Sequence, residues 1–408
     1  MSNLGQGSII VGNRAKTLYV VPHAVQQQHR KAVNIMQMLS FKQVTQLIKA
    51  IGHKRTIIVE GENGIGKTGL FHMLKDDPFF SNHVHVDPID CTQLSDGSVW
   101  MPDIDRELGV SRELPNERFG VNKDNQKGIN GARPALVFLD EIAKARQYIK
   151  DVLAPIVYER RVGNYHMPEG SVVFCATNLS VEGLGDSIQA HLRNRLVFVK
   201  MRKPTQTEWR EWAIDRGIAP EVIAWTDELG QTLFDSFLDY QSGAKYDGQR
   251  QEAHNAYIFN PSIAQMSYVT PRSLHAASDI VYSKDGMDTE TLLSALSGTM
   301  GEAGAESLKA FIQFGEQTPP FPRILKEPKT CPVPENPMAQ IITVLKCITQ
   351  TNGREDAEAV CEYILRMRRE MQSMFCHNLA QSSRVSNFVT VKPFQTMLQD
   401  NKIYFTGK

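Results

Sequence analysis

A chain of 408 residues in which 45 Lys and Arg balance 45 Asp and Glu has room for two or three domains, but it carries no net charge to attract nucleic acid or an anionic membrane. No apolar run approaches the roughly 20 residues a membrane span needs, and the opening Met1-Ser-Asn-Leu-Gly-Gln-Gly7 lacks the basic and apolar stretches of a secretion signal. Six cysteines (91, 175, 331, 347, 361, 376) lie scattered without a C-x-x-C pair, which argues for reduced thiols rather than a disulfide framework or a zinc site, so a soluble, cytoplasmic protein is expected.

Residues 1–36 are Gln- and Asn-rich, with short apolar patches at Ile9-Ile-Val11 and Tyr19-Val-Val21, and read as an N-terminal arm. A helix over about 40–51, with Phe41, Val44, Leu47, Ile48 and Ile51 on one face, ends at Gly52. The β-branched run Thr56-Ile-Ile-Val-Glu60 then enters Gly61-Glu-Asn-Gly-Ile-Gly-Lys-Thr68, and Gly69-Leu-Phe-His-Met-Leu74 continues as helix. Further strands are expected at 83–87, 135–139 and 171–176, with a helix from about 146. His83 and His85 share a strand face near Cys91 and read as half-buried rather than metal-binding. The polar stretch 91–132 reads as a loop. Strands alternating with helices, two of them continuously apolar, imply a parallel sheet covered on both faces: an α/β fold, the P-loop αβα sandwich, over 37–202. Beyond Arg202-Lys-Pro204 the spacing of Trp209, Trp212 and Ala213 opens a helical region over 203–315. Seven prolines crowd 316–338, so 316–337 is expected to be an extended connector, followed by a helical C-terminal region, 338–408, with helices at 338–350 and 355–377. Arg366, Arg368 and Arg369 cluster on the last helix and read as a solvated face.

The chemistry is concentrated in a few strings. G-x-x-x-x-G-K-[ST] at 61–68 is a phosphate-binding loop, whose glycines let backbone N–H groups close around a phosphate at a helix N-terminus. Within Gly61, Glu62, Asn63, Gly64, Ile65, Gly66, Lys67, Thr68 and the following Gly69, Lys67 would neutralise β- and γ-phosphate charge and Thr68 would place a hydroxyl on Mg²⁺. Asp140-Glu141 ends a buried strand: Asp140 is expected to hold Mg²⁺ through water and Glu141 to orient the attacking water. Asn178 terminates the next strand, where an amide could hold that water or sense the γ-phosphate. Arg193 and Arg195 precede another β-like run, and either could reach a neighbouring subunit's γ-phosphate and stabilise transition-state charge. Val269-Thr-Pro-Arg-Ser273 starts a helix, with Pro271 in its first turn and Arg272 able to meet nucleotide across a cleft. These features point to an ATP hydrolase with ATP and Mg²⁺ as cofactors.

The succession of these motifs resembles AAA+ ATPases, and within them the MoxR-like group, over about residues 40–285. Leu139-Asp-Glu-Ile-Ala-Lys-Ala145 with Val152-Leu-Ala-Pro-Ile-Val-Tyr-Glu-Arg-Arg-Val162 is similar to the family's Walker B strand and helix, Phe174-Cys-Ala-Thr-Asn178 to sensor 1, and Tyr268-Val-Thr-Pro-Arg-Ser-Leu274 to sensor 2. The resemblance implies an AAA+ core with a helical lid and a hexameric ring with nucleotide at subunit interfaces. It puts Arg195 at the finger position with Arg193 competing, and has Arg272 acting on a neighbour's nucleotide. It also implies that 91–132 holds a helix-2 insertion and that Tyr165 and His166 lie in a pore-facing hairpin. A protein substrate or adaptor follows as partner, one with a von Willebrand factor A domain being common among relatives. Leu179-Ser180 departs from the family's frequent Pro after the sensor 1 Asn. The alternative function, a nucleic-acid motor or helicase loader, is disfavoured by the neutral charge.

Overall fold

Strands that read as unbroken apolar runs need cover on both faces, and the architecture supplies it. The computed structural model describes residues 37–95, 97–119, 133–179, 194–238, 255–260 and 263–400, so the arm expected over 1–36 lies outside the described residues, as does Arg193. Its strands in chain order are β1 (Ile57–Gly61), β2 (Val84–His85), β3 (Ile89–Asp90), β4 (Trp100–Asp105), β5 (Val110–Pro115), β6 (Ala135–Asp140), β7 (Arg161–Val162), β8 (Tyr165–His166), β9 (Val172–Asn178) and β10 (Val197–Lys200). One parallel sheet runs β10-β1-β9-β6-β2, with β3 also paired to β6. Successive side chains alternate between its faces. Ile57, Val59, Leu136, Phe138 and Phe174 pack under α1 (Phe41–Ile51) and α2 (Lys67–Lys75). Ile58, Val137, Leu139, Val173 and Cys175 pack under α3 (Gln147–Glu159). The fold is thus a P-loop αβα sandwich. Ser40 and Gln43 close a reciprocal capping box at the start of α1.

The stretch 91–132, expected to be a loop, contains the antiparallel hairpin β4–β5. Its turn is made by Gly109 at φ 62°, and Arg112 pairs with Asp105 at 3.0 Å across the hairpin. Many charges and Pro102 disguise it, because no side chain of the hairpin is fully buried and the apolar alternation of a half-buried strand is missing.

The remainder is helical: α4 (Gln206–Arg216), α5 (Pro220–Leu229), α6 (Pro271–Tyr282), α7 (Thr289–Met300), α8 (Glu302–Glu316), α9 (Phe321–Lys326), α10 (Pro337–Gln350), α11 (Arg354–Ile364), α12 (Arg369–Ala380) and α13 (Lys392–Asp400). A single buried cluster takes Trp209, Trp225, Leu274 and Leu308 from before the Pro-rich segment and Leu345, Val360, Phe375 and Phe394 from after it. Two expectations are corrected here. The Pro-rich segment is not simply extended: it holds α9 and buries Ile324 and Cys331 completely. Its prolines are compatible with helix because Pro322 and Pro337 sit in first turns, where no N–H is needed. The helix expected over 355–377 is two helices, α11 and α12. Between them Arg366 leaves the helical path, and its Nη1 donates to the carbonyls of Pro328 (2.9 Å) and Cys331 (2.6 Å), while Arg366, Arg368 and Arg369 all remain exposed, as expected of a solvated face.

Because α10 packs against α5 and α8, Leu345→Ala is expected to cost about 2–5 kcal/mol. Hydrogen exchange should accelerate across α5 and α8 as well as α10. Faster exchange confined to α10–α13 would mean that the two halves of the helical cluster are energetically separate.

Candidate nucleotide site

The loop leaves the C-terminal end of β1 and must turn immediately into α2. It does so through Gly64 (φ 71°) and Gly66 (φ 97°), both in the left-handed region that a Cβ makes costly. At Gly64 a Cβ would also approach Thr270 Oγ1 to 2.6 Å, so the helical region limits the size of the loop. Gly66 caps α2, and the first amides of that helix, with its positive end, face the loop.

Lys67 is buried, and its Nζ donates to the carbonyls of Gly61 (2.8 Å) and Glu62 (2.9 Å) and to Asn178 Oδ1 (2.7 Å). The last contact follows from strand order. β9 lies between β1 and β6, and Asn178 is in register with Gly61, so its amide stands between the loop and the carboxylates that end β6. Asn178 Nδ2 then donates to Glu141 Oε1 at 3.1 Å. Asp140 divides its two oxygens: Oδ2 accepts from Thr68 Oγ1 at 2.8 Å and Oδ1 accepts the N–H of Glu141 at 2.9 Å. Glu141 is left-handed (φ 53°), and Lys144, three residues on, pairs with its Oε1 at 3.1 Å. Its Oε2 is buried without a hydrogen-bond partner among the described residues.

A magnesium ion fits this donor set. Mg²⁺ takes hard oxygens, usually one or two carboxylates with phosphate oxygens and water, and Thr68 and Asp140 already converge beside the loop. When bound it would neutralise phosphate charge. Among the described residues no cluster of three or more His, Cys, Asp or Glu suggests any other metal site. His83 and His85 stand near the carbonyls of Gly170 (3.4 Å) and Phe80 (3.0 Å), and burial holds His83 below its usual pKa.

Of the remaining candidates, Asn63 and Gly64 line a cavity of about 360 Å³, shared with Tyr268, Thr270, Arg272 and Ser273. Arg272 donates its backbone N–H to Gly64 O at 3.1 Å, so it sits beside the loop of its own chain with its side chain exposed. Ile65 is buried beneath the loop. Gly69, in the first turn of α2, lies over Phe41: a Cβ there would be 3.9 Å from that ring. Arg195 does not join the group. It precedes β10, whose Val197 is level with Ile57 at the start of β1, whereas the loop leaves the far end of β1. At about 3.3 Å per residue, the length of the strand separates Arg195 from its own loop. Its charge instead lies near Tyr158, whose pKa is raised mainly by burial and lowered in part by Arg195. Tyr165 and His166 form β8 of the small β7–β8 hairpin, which Asn164 joins to β5 by accepting the Glu113 N–H at 2.6 Å.

Sequence reasoning missed three participants. Lys144 had only its i+3 spacing from Glu141 as a signal. Thr270 was read as part of a helix start. Lys203, buried between the sheet and the helical region, pairs with Glu62 Oε2 at 3.1 Å, and nothing in its sequence context announces this.

No protein-family model matches the chain, and no curated protein matches it in sequence. Among solved structures, a mutant of RuvB from Thermotoga maritima is 13% identical (TM-score 0.31), covering 70% of this chain and 73% of that one. NtrX from Brucella abortus is also 13% identical (TM-score 0.30; 71% and 72% covered). A closed-state reconstruction of Hsp104 with ATPγS and casein is 13% identical (TM-score 0.30), with 72% of this chain covered and 47% of that one. Likenesses this distant carry no weight for function.

Asn178→Ala removes the amide that joins Lys67 to Glu141. Nucleotide binding by titration calorimetry should change little, while steady-state hydrolysis falls on the order of 10²–10³-fold, the usual loss for one oriented donor. Equal losses in both would assign Asn178 to binding alone.

Proposed function

We propose that this chain is an AAA+ ATPase of the MoxR-like group, which binds and hydrolyses ATP with Mg²⁺ at the interfaces of a ring, for which a hexamer is the expected form, and uses it to remodel a protein partner. The observation that carries the ATPase reading is the connected set Thr68–Asp140–Glu141–Asn178–Lys67, assembled at the mouth of a left-handed glycine loop on the end of a parallel sheet. In it Lys67 and the α2 amides bind phosphate, Asp140 and Thr68 hold the ion, Glu141 orients water, and Asn178 links water to phosphate. Assembly is supported by the position of Arg195, which is on the wrong end of the sheet to serve its own loop and is exposed, as an arginine supplied to a neighbour must be. Remodelling of a protein, rather than movement along nucleic acid, is supported by the balanced charge. A partner with a von Willebrand factor A domain remains part of the proposal through resemblance. No described helix is long and apolar enough to cross a membrane.

Lys67→Ala should abolish ATP binding, and a variant that bound ATP normally would remove the loop from its role. Glu141→Gln should bind ATP and stall, with turnover down by about 10² or more. Used as bait, the stalled protein should retain its partner in an ATP-dependent way. Arg195→Ala should bind ATP yet hydrolyse it poorly. Mixing it with Lys67→Ala should restore part of the activity, because intact Arg195 from one variant then meets an intact loop from the other. Absence of any recovery in mixed assemblies would exclude an arginine acting between subunits.

A further inference from the structure

Glu62 is the second residue of the phosphate loop, a position whose backbone alone the loop motif requires. Its side chain is nevertheless buried, 7% exposed, and so is Lys203, also 7%, in the segment joining β10 to α4. Their charges meet at 3.1 Å. The pair is not isolated. Lys203 Nζ also donates to the Asp235 carbonyl at 2.7 Å, and Ser236 Oγ donates to the other carboxylate oxygen of Glu62. Ser236 Oγ in turn accepts the N–H of Leu238 at 3.1 Å. Two buried opposite charges and a hydroxyl therefore fasten the loop to the turn that follows Phe234 in the helical region.

The same residue is touched from the other side. Lys67 Nζ donates to the backbone carbonyl of Glu62 and to that of Gly61. A triphosphate draws this ammonium toward its own oxygens, because a charge-assisted bond to phosphate is stronger than one to a neutral carbonyl. The Gly61 and Glu62 carbonyls then lose a donor, and the peptide they belong to must readjust. Glu62 cannot move without either carrying Lys203 and Ser236 with it or breaking a buried ion pair, which is strongly unfavourable.

We propose that Glu62, Lys203 and the Asp235–Ser236 turn form a relay that couples phosphate occupancy of the loop to the position of the helical region. Glu62 and Lys203 are positioning residues: neither touches nucleotide through its side chain, and both act through Lys67 and the loop backbone. The proposal rests on the ATPase reading for its ligand. The loop–helical fastening itself stands on geometry alone, so the two can fail separately.

The test uses the full chain and the double variant Glu62→Leu with Lys203→Met, which removes both charges at similar volume and so avoids the misfolding risk of leaving one buried and unpaired. Hydrogen exchange is followed at 61–66 and at 233–238, with and without the non-hydrolysable analogue AMP-PNP and Mg²⁺. In the wild type the analogue should change exchange in both segments. In the double variant it should still protect 61–66 but leave 233–238 unaffected, and kcat should fall roughly tenfold with little change in KM, the scale of a typical coupling between sites. A purely structural role would lower the melting temperature without that split. An equal response of 233–238 in both proteins, or none in the wild type that binds the analogue, overturns the relay. If the wild type fails to bind AMP-PNP at all, the ATPase reading falls. The fastening is then judged in the nucleotide-free protein, where the same double variant should speed exchange at 61–66 by roughly tenfold, and unchanged exchange overturns it.

Discussion

A buried ammonium must be surrounded by acceptors, and the arrangement of this site follows from how Lys67 meets that requirement. Two acceptors are carbonyls of the loop that Lys67 itself closes, and the third is an amide oxygen on a different strand. The amide is available only because β9 separates β1 from β6 and ends level with Gly61. With its oxygen committed to Lys67, Asn178 must present its NH₂ the other way, toward Glu141. One buried charge thus fixes the orientation of an amide, and the amide fixes one oxygen of the carboxylate beyond it. Under the proposed function, a triphosphate that takes over Lys67 would alter all three groups at once, so recognition of phosphate and orientation of Glu141 would not be independent.

The loop is constrained from a second direction. Gly64 lies against Thr270 and Arg272, and Glu62 is paired with Lys203, so two residues of an eight-residue loop are held by segments outside the sheet's own layers. The helices behind those segments share one buried cluster from Trp209 to Met397. A displacement of the segment at 270 or at 235 is therefore carried by a body that includes the C-terminal helices, because close-packed interiors transmit strain rather than absorb it. The Pro-rich stretch helps to make that body continuous: Ile324 and Cys331 are inside it, and Arg366 satisfies its carbonyls.

How far the sequence could be read depended on whether chemistry or context dictated each residue. The strands at 57, 135 and 172 were legible because a doubly covered sheet demands continuous apolar residues, and Gly64, Gly66, Lys67, Thr68 and Asp140 because they fall in motifs of fixed residue type and spacing. The β4–β5 hairpin was hidden, since a solvent-exposed ribbon imposes no apolar period. The break after Ile364 was hidden as well: its cause, the reach of Arg366 to carbonyls more than thirty positions earlier, is a tertiary contact. Glu62 belongs to the loop motif, whose backbone accounts for it so completely that the sequence assigns its side chain, like that of Lys203, no evident task.

Asp140 explains why an adjacent pair of acids serves better than two acids from separate elements. Its Oδ2 holds the hydroxyl of Thr68, and its Oδ1 holds the N–H of Glu141. That N–H belongs to a residue in the left-handed region, a conformation that costs on the order of 1–3 kcal/mol in a non-glycine residue. The bond to Asp140, with those from Asn178 and Lys144 to the side chain, offsets the strain and fixes where the carboxylate points. An ordinary strand-to-helix turn would relax Glu141 and let it rotate toward solvent. Here the strained backbone leaves Oε2 buried with no partner among the described residues. Under the proposed hydrolysis, the acceptor that would orient water is thereby already dehydrated and aimed before any ligand arrives, so the cost of preorganisation would be met during folding rather than in the chemical step.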